Sequence, residues 1–202
     1  LANYKDIKMP SFAFVTPSYS LDYEYCRLLS SSINKHTSDS IPHYIIVPKI
    51  DKKLFSTLKT NRTHILIQDD FLPTWMFKIP FQTKWYFSLR TPPIRGWIRQ
   101  QLIKLSAHKF LQEDVLIYID SDTFFIKDFD PTSLVKNGNV PLVCKPNFNK
   151  KLDKWRKVSN KLLNLSLESE RCPNYIDQLV FWRRENIQKL NNYIESKSIL
   201  TW

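Results

Sequence analysis

The chain has 202 residues, with 30 lysines and arginines against 19 aspartates and glutamates, a net charge of +11 and a pI near 9.5. At 43% hydrophobic and 14% aromatic it carries enough apolar side chain for one core, which excludes intrinsic disorder. No run approaches the ~20 apolar residues of a membrane span, and no signal-peptide pattern opens the sequence.

A single domain over residues 1–202 is therefore expected, read as a fragment because it starts at Leu1 rather than Met. Cys26, Cys144 and Cys172 are too widely spaced for a disulfide framework or a zinc site. They read as small buried residues in a reducing compartment, hence a cytoplasmic location. The positive excess favours anionic partners such as nucleotide diphosphates, anionic lipid headgroups or nucleic acid.

Phe12–Thr16 reads as a buried strand ended by Pro17-Ser18. Leu21, Tyr25, Leu28, Leu29 and Ser32 then recur at helical spacing, with Ser20 as N-cap and Asp22 and Glu24 in the first turn. Residues 43–48 and 64–68 are the next strands, flanking a short helical pattern from Lys52 to Leu58, so the rhythm is βαβαβ. Residues 71–93 interrupt it with Phe71, Trp75, Phe77, Phe81, Trp85, Tyr86 and Phe87 among prolines, which reads as an irregular lid, an acceptor-side wall or a satellite cluster. Pro93 opens a predicted helix to about Leu111, with Ile94, Ile98, Leu102 and Leu105 as its apolar stripe. Val115–Ile119 has the continuous apolar character of a central parallel strand and ends on Asp120-Ser121-Asp122.

Two carboxylates two residues apart at the end of a buried strand repel one another and call for a proton or a cation. Asp120 and Asp122 suit Mg²⁺ or Mn²⁺, hard ions that leave open positions for phosphate oxygens. In an open α/β sheet, ligands gather at the carboxyl ends of the strands, where this turn lies. The alternative is a turn whose Asp side chains only cap backbone amides.

The run from Lys104-Leu105 through Tyr118-Ile119-Asp120-Ser121-Asp122-Thr123 to Asp128-Phe129-Asp130 resembles the metal-binding core of GT-A glycosyltransferases, nearest to the glycogenin-type, family 8-like group. In that group a Lys-Leu helix precedes a strand ending in Asp-x-Asp-Thr, followed by an apolar strand and a second acidic turn. Gly96–Leu105 also resembles a signature of an uncharacterised bacterial glycosyltransferase-like family. The resemblance implies a GT-A-like, Rossmann-like α/β fold, a mostly parallel sheet with helices on both faces. It implies an enzyme that moves a sugar from a nucleoside-diphosphate sugar to the hydroxyl of a glycan or lipid-linked acceptor, with Mn²⁺ or Mg²⁺ as cofactor.

Carried over residue by residue, the resemblance gives Asp122 to the metal and Asp120 to the metal or the donor ribose. Lys104 approaches the donor. Thr16 to Tyr19 lie where the nucleotide region begins, with Tyr19 against the base, and Asp70 is a candidate for uracil or ribose. Arg99 suits a phosphate because its fork binds two oxygens. Tyr175-Ile176-Asp177-Gln178-Leu179 resembles the Asp-Gln motif at the group's reaction centre. Asp177 is thus the catalytic candidate, as general base or as a stabiliser of positive charge on the sugar, and Gln178 a donor-sugar partner. An exposed Asp near the start of a helix from Asp177 to Leu190 is the competing reading.

The Asn-x-Gly segment of the group is absent, as is its late histidine ligand, since all four histidines lie at or before His108. A C-terminal portion beyond Thr201-Trp202 was either trimmed or never present. A dehalogenase-type phosphatase is disfavoured by Phe124 after the second Asp. A nucleotidyltransferase is disfavoured by the lack of a Gly-rich entry loop in a chain with two glycines. A non-catalytic basic glycan- or nucleic-acid-binding module is the alternative function, although nucleic acid is not an expected partner of the enzyme. The run from Lys150 to Lys157 looks like a basic amphipathic helix, which peripheral docking on a membrane surface explains equally well.

Overall fold

The computed structural model describes residues 9–77, 85–145, 153–165 and 174–197. Phe81, Cys172 and the run 150–152 lie outside them. β1 (Phe12–Pro17) is buried at all six positions, as a strand covered on both faces must be. It pairs in parallel with β2 (His43–Val47) on one side, and β2 pairs in parallel with β3 (Thr63–Ile67). Three short strands, β4 (Met76–Phe77), β5 (Trp85–Ser88) and β6 (Ile94–Arg95), form a separate antiparallel sheet. β7 (Val115–Ile119) is parallel to β1 on its other side, and β8 (Leu179–Arg183) is antiparallel to β7. The main sheet therefore runs β3-β2-β1-β7-β8.

Side chains alternate across this sheet and build a core on each face. Ala13, Val15, Leu116 and Tyr118 meet Ile103 and Ala107 on one face. Those two come from α3 (Gly96–Ser106) and the 3₁₀ turn that continues it over Ala107–Lys109. Ile187 of α5 (Arg184–Lys197) joins the same cluster. On the other face Phe12, Phe14, Ile117 and Ile119 pack on Leu29 and Ile33 of α1 (Tyr23–His36). Among the described residues the remaining α-helices are α2 (Lys52–Phe55) and α4 (Asp153–Leu163). None of the helices among the described residues is long and apolar enough to cross a membrane.

Several local expectations are corrected. Ser20 does not cap α1; its backbone N–H donates to Asp51 Oδ2 at 2.9 Å, and a 3₁₀ turn over Ser20–Asp22 precedes the helix. The face of α1 turned to the sheet is Cys26, Leu29, Ser30 and Ile33, while Leu21, Tyr25 and Leu28 are exposed. The predicted helix at 93 starts only at Gly96, because Ile94 and Arg95 pair with Tyr86 and Trp85. Its buried line is Ile103, Lys104 and Ser106, with Ile98 exposed. Within the stretch read as irregular, the aromatic Trp85–Ser88 segment is strand, as residues suited to a pleated surface favour.

After Asp122 the chain does not form the strand expected from the resemblance. Phe125 and Phe129 instead tuck under the sheet, their rings 5.0 Å apart and next to Phe14. The helix expected from Asp177 is β8 first, because all five positions from Leu179 to Arg183 pair with β7. Cys26 is buried as expected, which pushes its thiol up to about 12, whereas Cys144 is exposed.

His43 begins β2 fully buried, its Nε2 3.0 Å from Thr16 Oγ1 across the β1–β2 pair. Burial, with the nearby charges of Arg62 and His64, lowers its pKa to about 3. Below pH 6.5 the unfolded chain binds a proton here that the folded protein refuses until about pH 3. Stability should therefore fall by about 1.4 kcal/mol per pH unit across that window. Urea unfolding of the protein and of His43→Gln tests this; the variant's stability should depend less steeply on acid.

Candidate active site

β1 and β7 are parallel neighbours with β2 and β3 on one flank and β8 on the other, so strand order reverses between them and a crevice opens at their carboxyl ends. Asp120 leaves β7 into that crevice. Its backbone N–H donates to Gln178 O at 3.0 Å, and its carbonyl accepts from Thr123 N–H at 3.1 Å. Lys104 of α3 reaches Asp120 Oδ1 with Nζ at 3.3 Å. The lysine side chain is only 9% exposed and that of Asp120 35%, so the ammonium is withdrawn from water against a half-buried carboxylate. Tyr118 fixes the lysine's backbone by donating its hydroxyl to Lys104 O at 2.6 Å.

Ser121 points the other way. Buried, it donates from Oγ to Asp22 Oδ2 at 3.3 Å, tying the turn to the start of α1. Burial raises the Asp22 pKa above the usual carboxylate range, Ser121's hydrogen bond opposes this, and the charge of Asp122 adds to it. Asp22, Tyr25, Gln100 and the Asp120-Ser121-Asp122 turn enclose a recess of about 420 Å³. Asp22 and Gln100 also line a larger cleft of about 780 Å³, so the two adjoin.

The larger cleft is aromatic and cationic, with Tyr19, Gln68, Tyr86, Trp97 and Arg99 on its walls. Gln68, 3% exposed, donates from Nε2 to Tyr86 Oη at 3.1 Å. The Arg99 guanidinium lies 4.6 Å over the Tyr86 ring and also donates to its hydroxyl. Arg95 lies 5.0 Å over Trp85. Flat apolar faces beside fixed guanidinium groups suit a ligand with a planar ring and an anionic tail.

Tyr19, Arg99, Lys104, Asp120 and Asp122 thus come together around the two cavities. Thr16 does not reach them; it is buried and bonded to His43. Asp70 is exposed on the 3₁₀ turn after β3, and Gln68 of the same turn lines the cleft instead. Gln178 contacts the acidic turn through its backbone, its own side chain being exposed. Asp177 is held by Lys145, with Nζ 3.0 Å from Oδ2, and by the Gln178 N–H at 2.8 Å. Lys145 is itself fixed by a pair of 2.8 Å backbone hydrogen bonds with Asn174. The Lys145 hydrogen bond, then that from Gln178, holds the Asp177 carboxyl below its usual pKa.

Asp22 and Gln68 were not among the sequence candidates. Asp22 read only as a helix-dipole residue, and Gln68 only as the last residue of a strand.

The carboxylate oxygens of the turn are hard donors that fit Mg²⁺ or Mn²⁺, and the adjoining arginine-bearing cleft suits phosphate oxygens. Among the described residues no group of three or more His, Cys, Asp or Glu side chains is disposed as a complete metal cage. Asp120 and Asp122, which line the recess, are the carboxylates that could hold such an ion.

The profile of a family of unknown function, DUF6492, matches residues 13–202. The chain belongs to this family. None of the curated protein sequences matches this DUF6492 chain significantly. Among solved structures, it is similar to the apo form of the bifunctional glycosyltransferase WbbM, with a TM-score of 0.55, 14% identity, and coverage of 96% of this chain and 35% of that one. It is also similar to the galactosyltransferase LgtC in complex with donor and acceptor sugar analogs, with a TM-score of 0.50, 11% identity, and coverage of 94% and 66%. The DUF6492 chain therefore has a GT-A-like glycosyltransferase fold, and it spans about a third of WbbM and 66% of LgtC.

The Lys104–Asp120 pair makes a direct prediction. Lys104→Met strands a half-buried carboxylate and should lower unfolding stability by about 1–2 kcal/mol. Adding Asp120→Asn should recover part of that loss in a double-mutant cycle measured by urea titration.

Proposed function

We propose that this chain is the donor-binding and catalytic domain of a metal-dependent glycosyltransferase that uses a nucleoside-diphosphate sugar. The observation that carries this reading is the acidic recess opening into an aromatic, arginine-bearing cleft at the carboxyl ends of β1 and β7. The fold shared with WbbM and LgtC supports it.

In this reading the base lies against Tyr19 and Trp97. Arg99 neutralises diphosphate oxygens, and Asp120 and Asp122 hold Mn²⁺ or Mg²⁺. When bound, the ion supplies Lewis-acid stabilisation of the leaving diphosphate. Lys104 orients Asp120 through their 3.3 Å contact while lying within reach of the donor. The acceptor hydroxyl oxygen bonds to the anomeric carbon as the bond from that carbon to the diphosphate oxygen breaks, and the hydroxyl proton passes to the released diphosphate.

Asp177 then acts chiefly as a fixed negative charge. A carboxylate whose pKa is depressed by Lys145 is a poor proton acceptor but a good stabiliser of positive charge developing on the sugar ring. Its neighbour Gln178 accepts a backbone hydrogen bond from Asp120 of the acidic turn.

Calorimetry with uridine and guanosine diphosphates, with and without Mn²⁺, tests the reading. A metal-dependent affinity that Asp122→Asn lowers by roughly 10–100-fold, with thermal stability unchanged, is the expected result. Absence of metal-dependent nucleotide binding would overturn it. Asp177→Asn should leave that affinity intact and slow transfer by on the order of a hundredfold or more. Lys145→Met should move the acid limb of the pH–rate profile upward, because Asp177 then protonates at a higher pH.

A further inference from the structure

α4 lies along the protein with Arg156, Asn160 and Leu163 half-buried on its inward side. Its outward side is apolar. Trp155, Val158 and Leu162 are 50%, 67% and 40% exposed, and they fall at i, i+3 and i+7 on one stripe. Leu165, two residues past the helix, is also exposed. Alongside runs a second row at the same spacing, Lys154, Lys157 and Lys161, all exposed. The only acidic residue from 153 to 163 is Asp153, at the first position.

This helix is joined to the cleft. Trp155 stacks on Trp97 with ring centroids 4.9 Å apart and planes 18° from parallel. Trp97, half exposed, lines the mouth of the aromatic cleft. The exposed stripe and the cleft opening therefore share an edge.

We propose that α4 is an interfacial helix that docks this chain on an anionic lipid bilayer. Its apolar stripe would lie in the acyl boundary, its lysine row at the headgroups, and the Trp97–Trp155 pair at the level between them. Charge and shape favour a bilayer over other occupants. A nucleic acid would engage the lysines and leave the stripe in water, and an apolar protein groove would leave the lysine row without complement. A bilayer of anionic headgroups takes both, because lysine stems lie along apolar surface while their ammonium groups reach the headgroups. The net charge of +11 adds long-range attraction. Where this inference rests on the proposed donor site, it places the cleft mouth at the lipid surface, so that the acceptor is a hydroxyl carried by a membrane lipid.

Vesicle flotation of the whole chain tests the docking without nucleotide. The protein should float with phosphatidylcholine vesicles containing phosphatidylglycerol, less so in high salt, and not with phosphatidylcholine alone. Replacing Lys154, Lys157 and Lys161 together by Gln should weaken anionic-vesicle binding by about a hundredfold. The single variant Val158→Glu, at a site open enough to leave folding intact by circular dichroism, should weaken it by about tenfold or more. Both variants should keep any Mn²⁺-dependent nucleotide binding. Failure of the protein to float with anionic vesicles at low salt, or undiminished flotation by both variants, would overturn the proposal. So would a concentration-dependent dimer that Val158→Glu dissociates, which would make the stripe a self-association face. Lost flotation with intact nucleotide binding removes the docking role alone, and flotation without nucleotide binding removes only the donor reading.

Discussion

The withdrawal of the Lys104 ammonium from water against Asp120 is the constraint on which the site depends. A nearly buried cation needs a compensating charge at close range, and the carboxylate after β7 supplies it. The same residue is bonded through its backbone to Gln178. One aspartate thus locks three pieces of chain that are far apart in sequence: the helix after the small sheet, the end of the central strand, and the entry to β8. Tyr118, buried one position before Ile119, ties the helix down from below through the Lys104 carbonyl.

From this point the surroundings divide into two environments. Toward α1 lie carboxylates, with the Asp22 pKa raised chiefly by burial and further by the charge of Asp122. Toward the small sheet lie aromatic rings carrying guanidinium groups, with the Tyr86 hydroxyl shared between Gln68 and Arg99. The proposed donor matches that division, with its metal-bound diphosphate at one end and its base at the other. The Lys145–Asp177 pair lines neither cavity, and its lysine holds the aspartate's carboxyl below its usual pKa.

The parallel strands were legible in the sequence because a strand buried on both faces must be a continuous apolar run, and Pro17 and Asp120 mark where two of those runs stop. β8 was not. Leu179–Trp182 runs straight into the amphipathic pattern of α5, and only pairing with β7, more than fifty residues earlier, decides that it is strand. The buried faces of α1 and α3 were legible only in part: Leu29 is buried and Leu105 packs on the core, whereas Leu21, Tyr25, Leu28 and Ile98 face solvent. At the site, spacing in the sequence carries the Lys104–Asp120 relation. Asp22 and Gln68 acquire their places only when α1 and the turn after β3 come to rest beside residues remote from them in the chain. Thr16 fails to reach the cleft for the opposite reason, since strand alternation turns it inward to His43.

The central claim is that the acidic turn and the aromatic cleft hold one ligand between them. A crystal structure of the protein grown with Mn²⁺ and uridine diphosphate tests it most directly. The account predicts an anomalous manganese peak ligated by Asp122, with the diphosphate on the metal and the base in the cleft beside Tyr19 and Trp97. Manganese bound elsewhere, or a nucleotide seated away from both cavities, would contradict it.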